Sequence, residues 1–595
     1  MPLNKRRNFF HVFGGTSQGY AVFIASLFVA AALDVLGVGI VPVFIALLAD
    51  PARAYAWLQT NAPGAASLTS PDKIVWLGCW TLILLFPLKN AAAGVISWLQ
   101  LRFVARREIS LATRLMTATI ARPYAFHLQH SSAELQRLIV RDSFAAIHSG
   151  VLPTAQIFSE SLVVLFIVAA LYWSQPLAAL AATVFLSVFI IVFQRIFRKH
   201  LAVLGRRQMK TNADLVKSVT QSLRSIKEVK LLGCERYFTE TFAHHARLQA
   251  RDTMNFSIIG QSPRLILEAL VIAFLGSAVL LVMYQGIPVN QSLPYLALFS
   301  MAAIRLLPSV SRILAALTAV RTSLPAIRGI AATLTEVYPL PSAAVEKDAP
   351  STETNGTLAV NGLSFIYPAA AMPVLSGIDF EVRSGLMTGI VGSSGAGKST
   401  LVDILLGLQT PTAGTVSLDG RDVAGFQTRW QRSIGYVPQS IYLLDDTIRA
   451  NIAFGLAPPA INDAQVWQAL EHAMLADFVC GLPDGLDTMA GEDGSHLSGG
   501  QRQRIGIARA LYGGKSFLIM DEATSALDNQ MENEVGKVLQ GLKGSRTQII
   551  VAHRLNTVKR CDWLLYLDQG RLADQGSYDE LIRRNESFRR LMGEL

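Results

Sequence analysis

Six apolar runs, at about 20–48, 73–103, 150–174, 177–197, 263–285 and 292–316, decide what this chain can fold into. A bilayer core is crossed by about 20 apolar residues of helix, and every run is long enough. In lipid each backbone N–H and C=O must be satisfied within the segment, which leaves helices. The first run follows Lys5, Arg6 and Arg7, the arrangement of a secretory signal peptide. It continues far beyond the roughly 7–15 residues of a signal core, so it is expected to remain as a spanning helix.

Charge sets the orientation. The connections around 172–176 (YWSQP) and 284–292 (YQGIPVNQS) carry no charge. Other connections are basic, with Arg102, Arg106, Arg107 and Arg114, then Arg195, Arg198, Lys199, Arg206 and Arg207. The positive-inside rule therefore places both chain ends in the cytoplasm, of a bacterial cytoplasmic (inner) membrane in the present reading. The net charge of +10 would also suit a nucleic-acid partner, but the basic residues flank the spans and no aromatic-and-basic module accompanies them. A membrane surface, and no nucleic acid, is the expected partner. Cys79, Cys234, Cys480 and Cys561 are scattered without metal-ligand spacing, so neither a disulfide framework nor a zinc site is expected.

Two connections are long, about 46 residues between spans two and three and 65 between spans four and five. Their helical composition predicts cytoplasmic extensions tens of Å long at 1.5 Å per residue. Pro123 in ARPYAFH, 121–127, disfavours helix at Arg122 and predicts a break at the first tip. The second tip falls in SIKEVKLLGCERYF, 225–238, and both tips are expected to dock on a cytoplasmic domain. The predicted division is a membrane domain over 1–338, a Pro-, Ser- and Thr-rich linker over 339–355, and a second domain over 356–595. In that last part β-rich runs alternate with amphipathic helices, the pattern of an α/β fold with a largely parallel sheet.

The chemistry lies in this second half. GSSGAGKST, Gly392–Thr400, fits G-x-x-x-x-G-K-[ST] between a strand-like and a helix-like run. Such a loop turns backbone N–H groups of Gly392, Ser393, Ser394, Gly395, Ala396 and Gly397 toward phosphate, with a helix N-terminus behind them. Lys398 would reach the β- and γ-phosphates, Ser399 would hold Mg²⁺, and Thr400 closes the motif. FLIMDEA, Phe517–Ala523, is an apolar strand ending in Asp521, placed for the metal, and Glu522, placed to polarise water. LSGGQRQRIGIARAL, Leu497–Leu511, opens a helix with Ser498, Gly499, Gly500 and Gln501, a second anion-binding helix start. Two such sites in one chain imply a nucleotide held between two copies, a homodimer.

The order of phosphate loop, glutamine, LSGGQ, DE and histidine resembles the ATPase domain of ATP-binding cassette (ABC) proteins. The six spans ahead of it resemble the membrane domain of the exporter type. The resemblance implies an α-helical six-span domain followed by an α/β P-loop ATPase, with ATP and Mg²⁺ as cofactors. It implies that Tyr367 stacks on adenine and that Gln439 senses the γ-phosphate and joins the metal's surroundings. Ser498 would reach the γ-phosphate of the partner's ATP, Asp528 would sit at the dimer seam, and His553 would contact the γ-phosphate. An ATP-driven exporter or flippase is the expected function. A multidrug or general lipid exporter, a membrane ATPase regulating a partner, and a soluble cassette ATPase are its rivals. The islands SIKEVKLLGCERYF, SPRLILEAL and AAIRLLPSVSRI resemble bacterial flippases of lipid-linked oligosaccharides.

Intramembrane charge fits that substrate. A charge at the bilayer centre costs at least ~2.5 kcal/mol. Arg305 and Arg312 are seven residues, two helical turns, apart, so they share a face about 10 Å apart. With Arg264 and Lys89 they are expected to line a cavity that holds a phosphate or pyrophosphate headgroup. In the competing reading Arg312 snorkels to the interface, Arg264 pairs with Glu268 and Asp34 neutralises another cation.

Overall fold

The structure, a computed structural model, describes residues 17–49, 51–52, 55–56, 60, 70–174, 176–284, 289–335, 356–368, 370, 372–521, 529–552 and 554–593. The predicted linker, 339–355, lies outside the described residues.

Each predicted span falls on a long helix, Ser17–Ala49, Pro71–Ile120, Leu152–Ser174, Pro176–Arg224, Glu235–Tyr284 and Val289–Thr335, except that residues 150–151 belong to the preceding π-type turn and residue 285 lies outside the described residues. Among the described residues, five stretches are long and apolar enough to cross a membrane. The helix Pro176–Arg224 is not among those five, although its 177–193 stretch carries no charge. Four of the six helices are 47 to 50 residues long, so they continue well past the roughly 30 Å hydrocarbon layer as one rod. Ser70 starts the second rod by accepting from the N–H of Lys73, with Pro71 at its first position, where a missing N–H costs nothing. The last rod runs unbroken through Pro308. Before the third span the chain is helical from Ser132, with wider π-type turns at Arg137–Asp142 and Ala146–Val151. Leu111, Leu115, Ala146, Ile147 and Ile330 are buried together where these extensions meet.

The rod ends where Pro123 predicts a break, and a short helix, Tyr124–Gln129, forms the first tip. By contacts the molecule divides into two units: Met1–Arg122 with His130–Leu340, and Pro123–Gln129 with Pro341–Leu595. The first tip thus groups with the ATPase residues. The second tip does not. Its helix Ile226–Leu232, closed by left-handed Gly233, groups with the membrane unit, and Leu231 and Leu232 are 86% and 74% exposed.

The second unit holds two sheets. Strands β1 (Leu358–Phe365), β2 (Leu375–Val382), β4 (Ala413–Leu418) and β5 (Arg421–Asp422) form an antiparallel sheet in the order β2-β1-β4-β5. The larger sheet runs β10-β9-β3-β8-β7-β6, from β3 (Met387–Gly392), β6 (Ile434–Val437), β7 (Phe517–Asp521), β8 (Thr547–Val551), β9 (Trp563–Asp568) and β10 (Arg571–Gly576). All its strands are parallel except the edge strand β10. Strands β3, β7 and β8 are buried at every residue, as a parallel sheet covered on both faces requires. Ligands of such sheets bind beyond the carboxyl ends of the strands.

Candidate functional site

That end of the sheet carries the phosphate loop and Asp521. Val551, the last residue of β8, is in register with both Ile390 of β3 and Asp521 of β7. The phosphate loop leaving β3 and the carboxylate ending β7 are therefore level and two strand spacings, about 10 Å, apart. Gln439 follows β6 at the same end and is exposed. Glu522 through Asp528 and His553 lie outside the described residues. Their chain neighbours Asp521 and Ala552 are at this edge, and the N–H of Ala552 donates to Ile390 O at 3.0 Å.

The loop is already folded for an anion. Gly397 caps the helix Lys398–Leu405 at φ 94°, a conformation that a Cβ strongly disfavours. A Cβ there would also stand 2.5 Å from Leu375 Cδ2. Lys398 is buried at 6% exposure, and its Nζ donates to the carbonyls of Gly392 at 2.9 Å and Ser393 at 2.8 Å. Ser393, Ser394, Gly395 and Ser399 are exposed, while Ala396 and Thr400 are buried. The Tyr367 hydroxyl shares a 3.1 Å hydrogen bond with Thr400 Oγ1, and its ring stands edge-on to Phe365. The aromatic residue expected to face adenine is thus tied to the helix that follows the phosphate loop.

Asp521 is 8% exposed. Burial first, and the charge of Asp521 second, push the Asp403 carboxyl up to about 6. Tyr436 on β6 is raised by burial and then by Asp521, Asp403 and Tyr124. Tyr124 on the first tip is itself raised by burial, then by Asp403 and Tyr367. Tyr124 on the tip helix is thus within electrostatic reach of Asp403 and Tyr367. Asp403 belongs to no motif, and Tyr436, three residues before Gln439 in GYVPQ, carries no role that spacing alone announces.

Ser498 opens the helix Gly499–Leu511 with a capping box. Its Oγ accepts from Gln501 N at 3.2 Å, and Gln501 Oε1 accepts from Ser498 N at 2.8 Å. The hydroxyl proton of Ser498 remains available for a phosphate oxygen. Gln501 Oε1 holds the helix start. Gly499 is exposed and Gly500 is buried. This helix lies tightly on β6, since a Cβ on Gly435 would stand 2.0 Å from Ala510 O. Arg509 on its far turn donates to Tyr442 O, Asn451 O and Asn451 Oδ1. Asn451, fully buried, donates to Leu444 O and Thr447 O. The segment after Gln439 is thereby bonded to the helix that Ser498 begins, a link no motif announces.

In the membrane unit the four predicted cations fare differently. Lys89 Nζ lies 3.4 Å from Asp34 Oδ1. Arg312 Nε lies 2.5 Å from Glu160 Oε1 and its Nη2 donates to Oε2 at 3.0 Å. Arg264 is exposed on its helix, and the side chain of Arg305 lies outside what is described. Glu160 went unread: a single acid 152 positions from its partner carries no sequence signal of the pairing.

Residues 375–525 match the family described as ABC transporter, and residues 27–304 match the ABC transporter transmembrane region. An ATP-dependent lipid A-core flippase of Chromobacterium violaceum is 30% identical over 559 residues, covering 92% of each chain. One of Coxiella burnetii is 32% identical over 529 residues, 87% of each. A solved bacterial Atm1-family ABC exporter with ATP bound superposes with a TM-score of 0.75 at 25% identity, covering 97% of this chain and 98% of that one.

Proposed function

We propose that this chain, which belongs to the ABC transporter family, is one half of a homodimeric ATP-driven flippase that moves a phosphate-bearing glycolipid across the bacterial cytoplasmic membrane. The observation that carries the proposal is the likeness to lipid A-core flippases, which runs through both the membrane and the ATPase halves. A lipid-linked oligosaccharide and a lipid A-core share the needed chemistry, a phosphorylated sugar headgroup on a hydrocarbon tail. A general lipid exporter fits the same family and relatives, and the side-by-side flipping measurement below separates it from the glycolipid reading. The N-terminus and the ATPase unit face the cytoplasm, because the basic connections lie at that end.

Two half-sites per chain favour the dimer. In sheet order three spacings, about 14 Å, separate β3, which carries the phosphate loop, from β6, on which the Ser498 helix rests. The nucleotide would lie between the phosphate loop of one copy and Ser498 of the other. The exposed Leu231 and Leu232 on the second tip then have a cover in the partner's ATPase unit. The residues fit Mg²⁺. Asp521, at the carboxyl end of β7 and level with the phosphate loop, supplies the oxygen donor a hard cation takes, and Ser399, Gln439 and Asp521 would hold the ion, which would neutralise charge on the phosphates.

Two measurements test these readings. In a chain freed of its native cysteines, Ser394→Cys together with Ser498→Cys should crosslink between chains, not within one, when ATP is trapped. A monomeric product alone would end the dimer proposal. In proteoliposomes, flipping of a lipid A-core and of a polyprenyl-pyrophosphate glycan is followed side by side, normalised to ATP hydrolysed. Arg305→Ala and Arg312→Ala should lower movement of whichever is carried about tenfold, the loss of one strong charge-assisted contact. Wild-type rates in both variants would refute the cationic headgroup site, and movement of neither lipid by the parent protein would refute the flippase reading.

A further inference from the structure

Glu160 belongs to no motif, yet it sits in the apolar run QIFSESLVVLF and meets Arg312 as a fork on a fork. The side chain of Glu160 is 16% exposed and that of Arg312 is 45% exposed. The carboxylate therefore backs the guanidinium from the protein side. Val163 and Leu306 are buried together in one cluster, and Val310 and Leu314 in another. These are the apolar neighbours, in sequence, of Glu160 and Arg312. In such surroundings an ion pair is poorly screened, and removing one partner leaves a costly uncompensated charge. Two of the five guanidinium N–H groups are used by Glu160, and the other three remain for an incoming acceptor.

We propose that Glu160 is a specificity-determining residue: a resident counter-ion that makes the Arg312 site reject singly charged phosphodiesters and accept phosphomonoester or pyrophosphate headgroups. The inference rests on the glycolipid reading above. A phosphodiester carries one negative charge, the same as the carboxylate already in place. Meeting a neutral pair, it gains no net attraction, and it cannot displace Glu160 without stranding that charge. A phosphomonoester carries roughly −1.5 to −2 near pH 7 and keeps a surplus that pulls on the guanidinium. The bulk phospholipid of a membrane, mostly zwitterionic or singly charged diesters, is thereby excluded without any steric filter. The Lys89–Asp34 pair, at 3.4 Å, is reversed: there the lysine is 16% and the aspartate 43% exposed.

The test reads binding, not transport. Full-length protein in nanodiscs of phosphatidylcholine is titrated with phosphatidylglycerol, a monoanionic diester, and with phosphatidic acid, a monoester. Bound lipid is counted by native mass spectrometry. The parent protein should prefer phosphatidic acid. Glu160→Gln removes the charge and keeps the shape, and it should tighten phosphatidylglycerol about tenfold while changing phosphatidic acid about twofold, so the preference collapses. Glu160→Asp, which keeps the charge, should keep the preference and serves if the Gln variant is poorly folded. The double variant Glu160→Gln with Arg312→Gln should lose the gained phosphatidylglycerol binding. An unchanged preference in Glu160→Gln, or a double variant that binds like the single one, overturns the inference while leaving the flippase reading intact. Binding of neither lipid to any form overturns the headgroup site and the inference together.

Discussion

Purified Glu522→Gln protein should bind ATP as the parent does and hydrolyse it about 10²–10⁴-fold more slowly, the usual cost of removing a positioned general base. The expectation starts from a strand. Phe517–Asp521 is buried at every residue and in register with β8, so the chain delivers Asp521 to the carboxyl edge of the sheet with no freedom of placement. Glu522 is the next residue in sequence, and the phosphate loop of β3 stands level with Asp521. Glutamine keeps the size and the hydrogen-bonding reach of glutamate but cannot take a proton from water. The phosphate loop, Lys398 and the Tyr367–Thr400 bond are untouched, so affinity should hold. Steady-state phosphate release and equilibrium nucleotide binding, measured on the same preparation, check both halves. Turnover within tenfold of the parent would remove Glu522 from its role.

The spans and motifs were legible because each depends on local chemistry. Length and apolarity place a helix in a bilayer, and a proline before a short helix marks the first tip. Glycines followed by a lysine, between strand and helix, mark a phosphate loop. What escaped were the contacts made across the chain. The antiparallel sheet of β1, β2, β4 and β5 went unseen, since its strands alternate buried and exposed residues too irregularly to announce a period. Asp403 looked like an ordinary helix residue until β7 brought Asp521 near it. Arg509 and Asn451 lie 58 positions apart, and only the fold shows that they tie the segment after Gln439 to the Ser498 helix. The membrane cations were found from sequence as charges out of place. Of their carboxylates, Asp34 was anticipated as a neutralising acid and does pair with Lys89, whereas Glu160 was not, because a pair between two helices leaves no spacing rule. Both tips were expected to dock on a cytoplasmic domain, and the exposed Leu231 and Leu232 of the second group with the membrane unit.

Lys398→Ala should have the opposite signature from Glu522→Gln: nucleotide binding itself should weaken by about 10–100-fold, the worth of a hydrogen bond to a charged group. Without ligand, the ammonium lies at 6% exposure and is satisfied by the carbonyls of Gly392 and Ser393. Its charge is therefore stored in the loop rather than placed there by the nucleotide. On binding, phosphate oxygens replace two neutral carbonyls with charged acceptors, and that exchange, made by no other residue of the loop, is what alanine removes. The glycine turns remain, so the backbone N–H cradle and the helix N-terminus still attract some phosphate, which is why the loss is finite. Thermal unfolding separates this from a folding defect. A ligand that binds only the native state raises its stability by RT ln(1 + [L]/Kd). The ligand-free midpoint should thus stay near the parent's, while the upward shift on adding ATP should shrink to that expected for the weakened Kd. Glu522→Gln should show the full shift. If Lys398→Ala is stabilised by ATP as strongly as the parent, the ammonium is a structural bolt of the loop and not its phosphate ligand.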